Sequence, residues 1–488
     1  MDLSTVQRDR ALGSIIASAA GDALGAPYEF DPPIPMDQSV LLEGGGHFNW
    51  APGEWTDDTS MAICILELLA KGKALEDEST QDALVAAWAD WAKHAADVGV
   101  QTRTILGSLA SNTQASALEQ SKALHDRTGK TAGNGSLMRT GPVALGSLTS
   151  AATTAANARA LSDLTHYDSD AGDACVLWSL AIRHAILNSD LEVRVGIAHL
   201  PEERQARWLA LIDAAEQHEP AYFSKNGWVI HAFQCAWSAI HMAKTAPASQ
   251  FKHKAQRLAF GLELAVRAGY DTDTVAAIAG ALLGAYFGFS AVPASWRLKL
   301  HGWPGISELE LTKMTHQALN QPSHGQSWPN IKHFDYDGWS GRFELAQHPI
   351  DKGLWLGGFG SLDSLPDEIT AVVSLCRVGT EDVPDRIEHR LEVYLLDKSG
   401  EENNLNLGYV FADVADAIKD LRDQGHVVYL HCVQSQSRTP SVAAAYGVRH
   451  LGQTVDEALR SIREVLPLGR PIQYFVDTLK NSFGGEIK

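Results

Sequence analysis

Two short carboxylate clusters stand far apart in the chain, Trp55-Thr56-Asp57-Asp58-Thr59 and Asp271-Thr272-Asp273-Thr274. Each immediately precedes an apolar stretch of helical period, so each falls at a helix N-terminus. Hard divalent cations take oxygen ligands, and Mg²⁺ usually combines a few carboxylates with several waters. Brought to one point, the clusters supply four carboxylates (Asp57, Asp58, Asp271, Asp273) and two hydroxyls (Thr56, Thr274). Carboxylates so crowded raise one another's pKa unless cations share the space. A pair of metals about 3.5–4 Å apart answers that crowding. The competing reading is helix capping, since Asp and Thr are preferred N-caps and suit the positive end of the dipole. A second, redundant carboxylate in each cluster favours metal.

A second constellation lies near the C-terminus. The apolar run Val427–Leu430 is followed by His431-Cys432-Val433-Gln434-Ser435-Gln436-Ser437-Arg438-Thr439 and then, from Pro440, by an Ala-rich helical stretch. Strand, loop and helix N-terminus make an anion cradle, because free N–H groups and the helix dipole both favour phosphate. A thiol held there ionises more easily. Arg438 can clamp phosphate oxygens in bidentate fashion, and Thr439 can donate a hydrogen bond to a departing thiolate. A lone cysteine would read as a buried apolar thiol; His431, Arg438 and Thr439 beside Cys432 argue otherwise.

These residues need elements to position them. From residue 11 to about 318 the text is Ala-rich and helical in period: Ser60–Leu69, Thr80–Lys93, Ala171–Leu187 and Trp228–Lys244 all read as helices. An all-α domain of ten or more helices is expected over 1–320. Residues 321–335, with Pro322, Pro329 and several Gly, Ser and Asn, read as a linker. Beyond it, strand-like runs at Leu354–Leu356, Ala371–Leu375, Leu391–Leu395 and Val427–Leu430 alternate with helical ones at Leu407–Leu421 and Val455–Val465. That alternation predicts a small α/β domain over 336–488 with a mainly parallel sheet. The uncharged run Thr274–Trp296 reads as a buried core helix in preference to a membrane span, being rich in Gly and Ala and opened by two aspartates.

With 488 residues, two domains are the natural expectation. A formal net charge of -19 excludes a broad basic surface for nucleic acid. The five cysteines are widely spaced, form no C-x-x-C pair and suit a reducing cytoplasm. Met1–Arg10 shows no basic-then-apolar secretory pattern. No membrane association is expected.

Over roughly residues 9–318 the chain resembles the ADP-ribosylglycohydrolases, the group of the dinitrogenase reductase-activating glycohydrolase. The resemblance is carried, in order, by Gly21-Asp22-Ala23-Leu24-Gly25-Ala26-Pro27-Tyr28-Glu29-Phe30, by Trp55–Met61, by Asp97-Val98-Gly99, by Gly133-Asn134-Gly135-Ser136-Leu137-Met138-Arg139, by Leu164-Thr165-His166 and by Gly269–Thr274. It implies a compact all-α fold and two Mg²⁺ or Mn²⁺ ions held by Thr56, Asp57, Asp58, Asp271, Asp273 and Thr274, with the metals holding distal ribose hydroxyls of ADP-ribose. It implies Asp97 as an acid/base near the anomeric carbon and Glu29 as a loop glutamate that gates or assists. Gly133, Asn134, Gly135, Ser136 and Met138 are implied as a diphosphate-facing loop, although Asn-Gly alone reads as a tight turn. His166 is implied as a ribose or phosphate contact, where a structural histidine is the plain alternative. Trp228 falls where an aromatic meets adenine; Trp228 and Tyr222 could equally be core.

Residues 336–485 resemble the dual-specificity group of protein tyrosine phosphatases through the spacing C-x5-R-T. That resemblance implies Cys432 as nucleophile, Arg438 with Val433–Thr439 as the phosphate loop, and Asp397 as general acid. One departure stands out: Ser435 occupies a position where such loops commonly have glycine, which leaves a phosphate-binding domain without turnover as an alternative. The expected whole is a hydrolase that removes ADP-ribose from modified side chains, arginine-linked favoured, or from related conjugates, joined to a phosphatase for a phosphorylated substrate. The alternative is an ADP-ribose- or phosphate-sensing protein.

Overall fold

The computed structural model describes residues 2–320, 328–339 and 342–484; the expected linker therefore lies outside the described residues at 321–327. Two compact units are present, one built mainly from Gln7–Val292 and Lys299–Pro322, the other from Pro293–Leu298 and Ser323–Lys488.

The first unit is helical. The helices that matter for its chemistry are α1 (Thr5–Gly25), α2 (Asp57–Ala70), α3 (Val229–Thr245) and α4 (Thr272–Phe287). Its strands, among the described residues, are the short antiparallel pair His301–Gly302 and Ile306–Ser307. On α1, Gly13, Ala17, Gly21 and Gly25 recur every four residues and share one face. That face lies against α4 with backbones touching. A methyl group on Gly284 would stand 1.9 Å from the Gly13 carbonyl oxygen, one on Gly21 2.2 Å from that of Ala276, and one on Gly25 2.5 Å from the Asp273 backbone. Only glycine permits this approach, and it carries Asp22 of α1 to the first turn of α4. Thr272 locks the same junction by donating its hydroxyl to the Gly25 carbonyl at 2.9 Å.

Every residue of α4 from Thr272 to Ala285 is buried, so the uncharged run after Asp273 is core helix, as its Gly and Ala content predicts. No helix among the described residues is long and apolar enough to cross a membrane.

The second unit is a five-stranded sheet with helices. Its strands are β1 (Leu345–Gln347), β2 (Leu354–Gly358), β3 (Ile369–Ser374), β4 (His389–Glu392) and β5 (Val427–Cys432). Their spatial order is β1-β2-β5-β3-β4, antiparallel at β1/β2 and parallel elsewhere. Alternate residues of β5 face opposite sides. Val428 and Leu430 enter one apolar cluster with α5 (Leu407–Asp423) and α6 (Arg438–His450), while Tyr429 enters the other with Ile369 and Val372. The strand expected over Leu391–Leu395 stops at Glu392. After Val393 donates to Ser374 at 2.8 Å, the chain turns tightly, with Leu395 N–H bonded back to Val393 at 2.9 Å. This turn leads the segment away from the sheet and toward Arg438.

Candidate active sites

At the N-terminus of α2, the cap position is Thr56, yet no side chain of the cluster caps the helix. Asp22 does so from α1. Its carboxylate accepts the N–H of Thr56 at 2.9 Å and of Thr59 at 3.0 Å, and both threonine hydroxyls at 2.8 and 2.6 Å. Asp57 and Asp58 are thereby released from capping. The Thr56 hydroxyl lies 2.8 Å from Asp22, 3.0 Å from Asp58 and 3.4 Å from Asp273. It has one proton to offer three carboxylates.

The N-terminus of α4 is also uncapped by its own side chains. It is entered through Gly269 (φ +76°) and Tyr270 (φ +64°), and the Glu29 segment leaves through Phe30 (φ +70°). Two non-glycine residues in the left-handed region mark local strain. It is held by reciprocal bonds: Phe30 N–H to the Tyr270 carbonyl at 2.5 Å, Tyr270 N–H to the Asp31 carbonyl at 2.7 Å. The pairing sets Glu29 beside Asp271. Asn226 fixes Asp271 from the other side, accepting its N–H at 3.3 Å and donating to the Gly269 carbonyl at 2.9 Å, while Asn134 donates to the Asp271 carboxylate at 2.8 Å.

The two distant clusters thus meet. Asp22, Asp58 and Asp273 present carboxylate oxygens within 4.8 Å of one another, as do Glu29, Asp271 and Asp273. Asp273 belongs to both groups. One oxygen each of Glu29, Asp58 and Asp273 is buried with no hydrogen-bond partner, a costly arrangement for a carboxylate. Burial, reinforced by neighbouring carboxylates, pushes Glu29 up to about 9 and Asp57, Asp58 and Asp273 well above the usual range. Burial also raises Asp22, to about 6, and lifts Asp271 and Asp97. Oxygen donors that are crowded, buried and unsatisfied fit hard cations. The Thr274 hydroxyl neighbours the Asp271 carboxylate, and the Gly99 backbone neighbours that of Asp57. Glu29, expected as a loop residue, is buried and shares oxygens with the metal-type cluster.

A cleft of about 400 Å³ opens over this group, lined by Glu29, Asp57, Asp97, Gly133–Gly135, Met138, His166, Asp271, Asp273 and Thr274 among others. The N–H groups of Gly133, Gly135 and Ser136 have no acceptor among the described residues. The buried Ser136 hydroxyl turns inward, away from the cleft, accepting from Ser162 at 2.9 Å and Cys175 at 3.5 Å. His166 is buried and, by burial and the Arg139 charge, held neutral. Arg139 donates to the Thr165 hydroxyl at 2.6 Å, and that oxygen lies 2.8 Å from His166 Nδ1. The Thr165 hydroxyl thus links the Arg139 guanidinium to the His166 ring. Trp228 adjoins Gly133 through a backbone bridge and is 38% exposed, and Tyr222 is 63% exposed. Neither is core.

In the second unit, β5 ends on Cys432 and α6 begins at Arg438. The loop between is tied by Phe359 N–H to the Val433 carbonyl at 3.1 Å, Arg470 N–H to Gln436 at 2.6 Å, and Ile472 N–H to the Ser437 hydroxyl at 3.2 Å. Ser435 sits at φ +50°, the left-handed conformation that glycine would adopt without cost, and turns its hydroxyl to the Gln434 carbonyl at 2.7 Å. The Arg438 guanidinium donates to the carbonyls of Leu375 and Leu395 at 3.1 and 3.0 Å, leaving Nε without an acceptor. Cys432 and Asp397 both lie within electrostatic reach of it. Asp397 is exposed, and its loop is clamped by buried Asn404, which pairs with Leu396 N–H and carbonyl at 2.8 and 2.9 Å and with the Lys398 carbonyl at 3.1 Å. Thr439 departs from expectation: its hydroxyl donates to the Gly357 carbonyl at 3.3 Å, not to the Cys432 sulfur. His431 is buried against Ser374 at 2.7 Å, and burial takes it down to about 3.

Comparison with known proteins agrees with this geometry in the first unit. The chain is 29% identical over 306 residues to an ADP-ribosylarginine hydrolase, Tri1, of Serratia proteamaculans, covering 62% of this chain and 78% of the relative. It is 28% identical over 300 residues to the ADP-ribosyl-[dinitrogen reductase] glycohydrolase of Rhodospirillum rubrum, with 60% and 90% covered. A crystal structure of human DUSP28 matches 29% of this chain and 94% of its own at 20% identity and a TM-score of 0.26. Residues 3–325, about two thirds of the chain, match the ADP-ribosylglycohydrolase family, and to that family the chain belongs.

Proposed function

We propose that the helical unit is a divalent-metal-dependent hydrolase that removes ADP-ribose from modified side chains, arginine-linked conjugates first. The observation that carries this reading is the buried, unpartnered oxygens of Glu29, Asp58 and Asp273, grouped around Asp273 beneath a cleft that Glu29 and Asp273 line. Thr56, Asp57, Asp58, Asp271, Asp273 and Thr274 would hold two Mg²⁺ or Mn²⁺ ions, with Glu29 adjoining. Bound there, the metals supply fixed positive charge that orients ribose hydroxyls. The N–H groups of Gly133 and Gly135 offer donors to the diphosphate, with the Ser136 backbone continuing the same loop; His166 and Met138 line the same wall, and Trp228 offers an open aromatic face to adenine. Asp97 lines the cleft, its carboxyl raised by burial and by Asp271, and is the proposed acid. It would give a proton to the leaving guanidine nitrogen as the C–N bond breaks; water then adds its oxygen to the anomeric carbon and passes a proton back to the Asp97 carboxylate.

Its test is release of ADP-ribose from ADP-ribosylated arginine with Mg²⁺ or Mn²⁺. Asp273→Asn should abolish release, and Asp97→Asn should lower kcat by about 10²–10⁴-fold. No release with any linkage or either metal would refute the reading.

For the second unit, the proposed chemistry is attack by Cys432 on phosphorus, with Arg438 and the Val433–Thr439 loop binding phosphate and Asp397 protonating the leaving oxygen. Water then cleaves the S–P bond. The left-handed conformation of Ser435 supports a loop of phosphate-binding shape. The engaged hydroxyl of Thr439 favours a second reading, phosphate binding without turnover. Aryl phosphate hydrolysis that vanishes in Cys432→Ser supports the first; none in the wild-type protein supports the second.

A further inference from the structure

We propose that Glu388, His389 and His426 form a transition-metal site, of the class that takes Zn²⁺ or Cu²⁺, at the end of the second unit's sheet remote from Cys432. Their ligand atoms lie within 4.8 Å of one another. The topology explains the meeting. His389 opens β4 and pairs with Ala371 of β3, while His426 immediately precedes β5, whose Val427 pairs with Ile369. The two imidazoles therefore flank Thr370 from either side of β3, with ring centroids 4.2 Å apart at 66°. Cys432 closes the opposite end of β5.

Two features suit a metal better than a chance surface pair. Thr370 Oγ1 lies 3.1 Å from His426 Nδ1. With that hydroxyl accepting the Nδ1 hydrogen, Nε2 carries the lone pair, as in metal-bound histidines whose second nitrogen is held by an outer oxygen. The donor set of two imidazoles and one carboxylate leaves an open position and is borderline in hardness, which selects zinc or copper over Mg²⁺. This chemistry differs from the all-oxygen centre of the helical unit. A metal here would pin edge strand β4 to central strand β5 across β3. The same β4 runs on into the turn that carries Asp397.

The test is Zn²⁺ titration of the full chain by calorimetry in saturating Mg²⁺, with Cu²⁺ electron paramagnetic resonance as a second arm. One zinc-binding event is expected, together with nitrogen hyperfine structure from two imidazoles. His389→Ala and His426→Ala should each weaken zinc at least about tenfold, and Thr370→Val should weaken it by about tenfold, the size of an outer-shell effect. Asp273→Asn should leave the event unchanged. The far-UV circular dichroism of each variant should match the wild type. The proposal is overturned if no zinc binds at about 100 μM, if the His389→Ala/His426→Ala double variant binds zinc as the wild type does, or if Asp273→Asn removes the event.

Discussion

Asp22 accepts the Thr56 N–H at 2.9 Å and so caps, from α1, the helix that carries Asp57 and Asp58. Capping and metal binding, which compete for the same aspartates when the sequence alone is read, are divided between different residues. Asp22→Ala should therefore cost stability as well as metal affinity. About 2 kcal/mol is expected from two buried N–H groups losing their acceptor, read by chemical denaturation. Asp57→Asn should lower metal affinity while leaving the metal-free protein as stable or more so, because one crowded charge is gone.

The raised carboxylates give the metal-free protein a characteristic pH response. Folded Asp22 is held at about 6 against an ordinary 3.8, and Glu29 at about 9 against 4.5. A raised folded value means the folded chain binds the proton more tightly. Its stabilising contribution is complete below the ordinary value and is lost as pH climbs through the folded one. In EDTA the melting temperature should fall from about pH 5 to about pH 9, and Mn²⁺ should flatten the decline. A melting temperature in EDTA that holds level or rises over this range would contradict the crowding.

The glycine seam between α1 and α4 sets the separation of Asp22 and Asp273. Gly284→Ala would place a methyl carbon 1.9 Å from a backbone oxygen. Helix separation must then grow, with an expected cost of about 3 kcal/mol and a loss of metal affinity in the folded remainder. Thermal melting and Mn²⁺ titration check both; wild-type values for each would refute the seam's role.

Ser435 holds a backbone conformation that disfavours side chains. Ser435→Gly should raise stability by about 1 kcal/mol through relief of the left-handed strain, set against loss of its hydrogen bond to Gln434. Denaturant midpoints of the two proteins measure the difference.

Much of the architecture was legible from the sequence because period and punctuation agreed. The helix expected at Val455–Val465 has those bounds, and α2, α3 and α5 agree to within a few residues at their ends. The strand at Leu391–Leu395 was misread at its end because apolar alternation continues through residues that turn toward Arg438. Thr56, Asp57, Asp58, Asp271, Asp273 and Thr274 were visible as clusters, and their convergence is tertiary. Asp22, Asn226 and Asn404 were missed. Asp22 had one signal, a carboxylate within an otherwise small and apolar helix face. Asn226 and Asn404 had none, since each acts by bonding backbone brought near only by folding.

The proposed hydrolysis depends on a pair of cations held jointly by α2 and α4. Anomalous scattering from crystals grown with Mn²⁺ addresses it most directly. Two peaks about 3.5–4 Å apart, ligated by Asp58, Asp271 and Asp273, are expected. The absence of any peak among these carboxylates at saturating Mn²⁺, or manganese bound only elsewhere, would rule out such a pair.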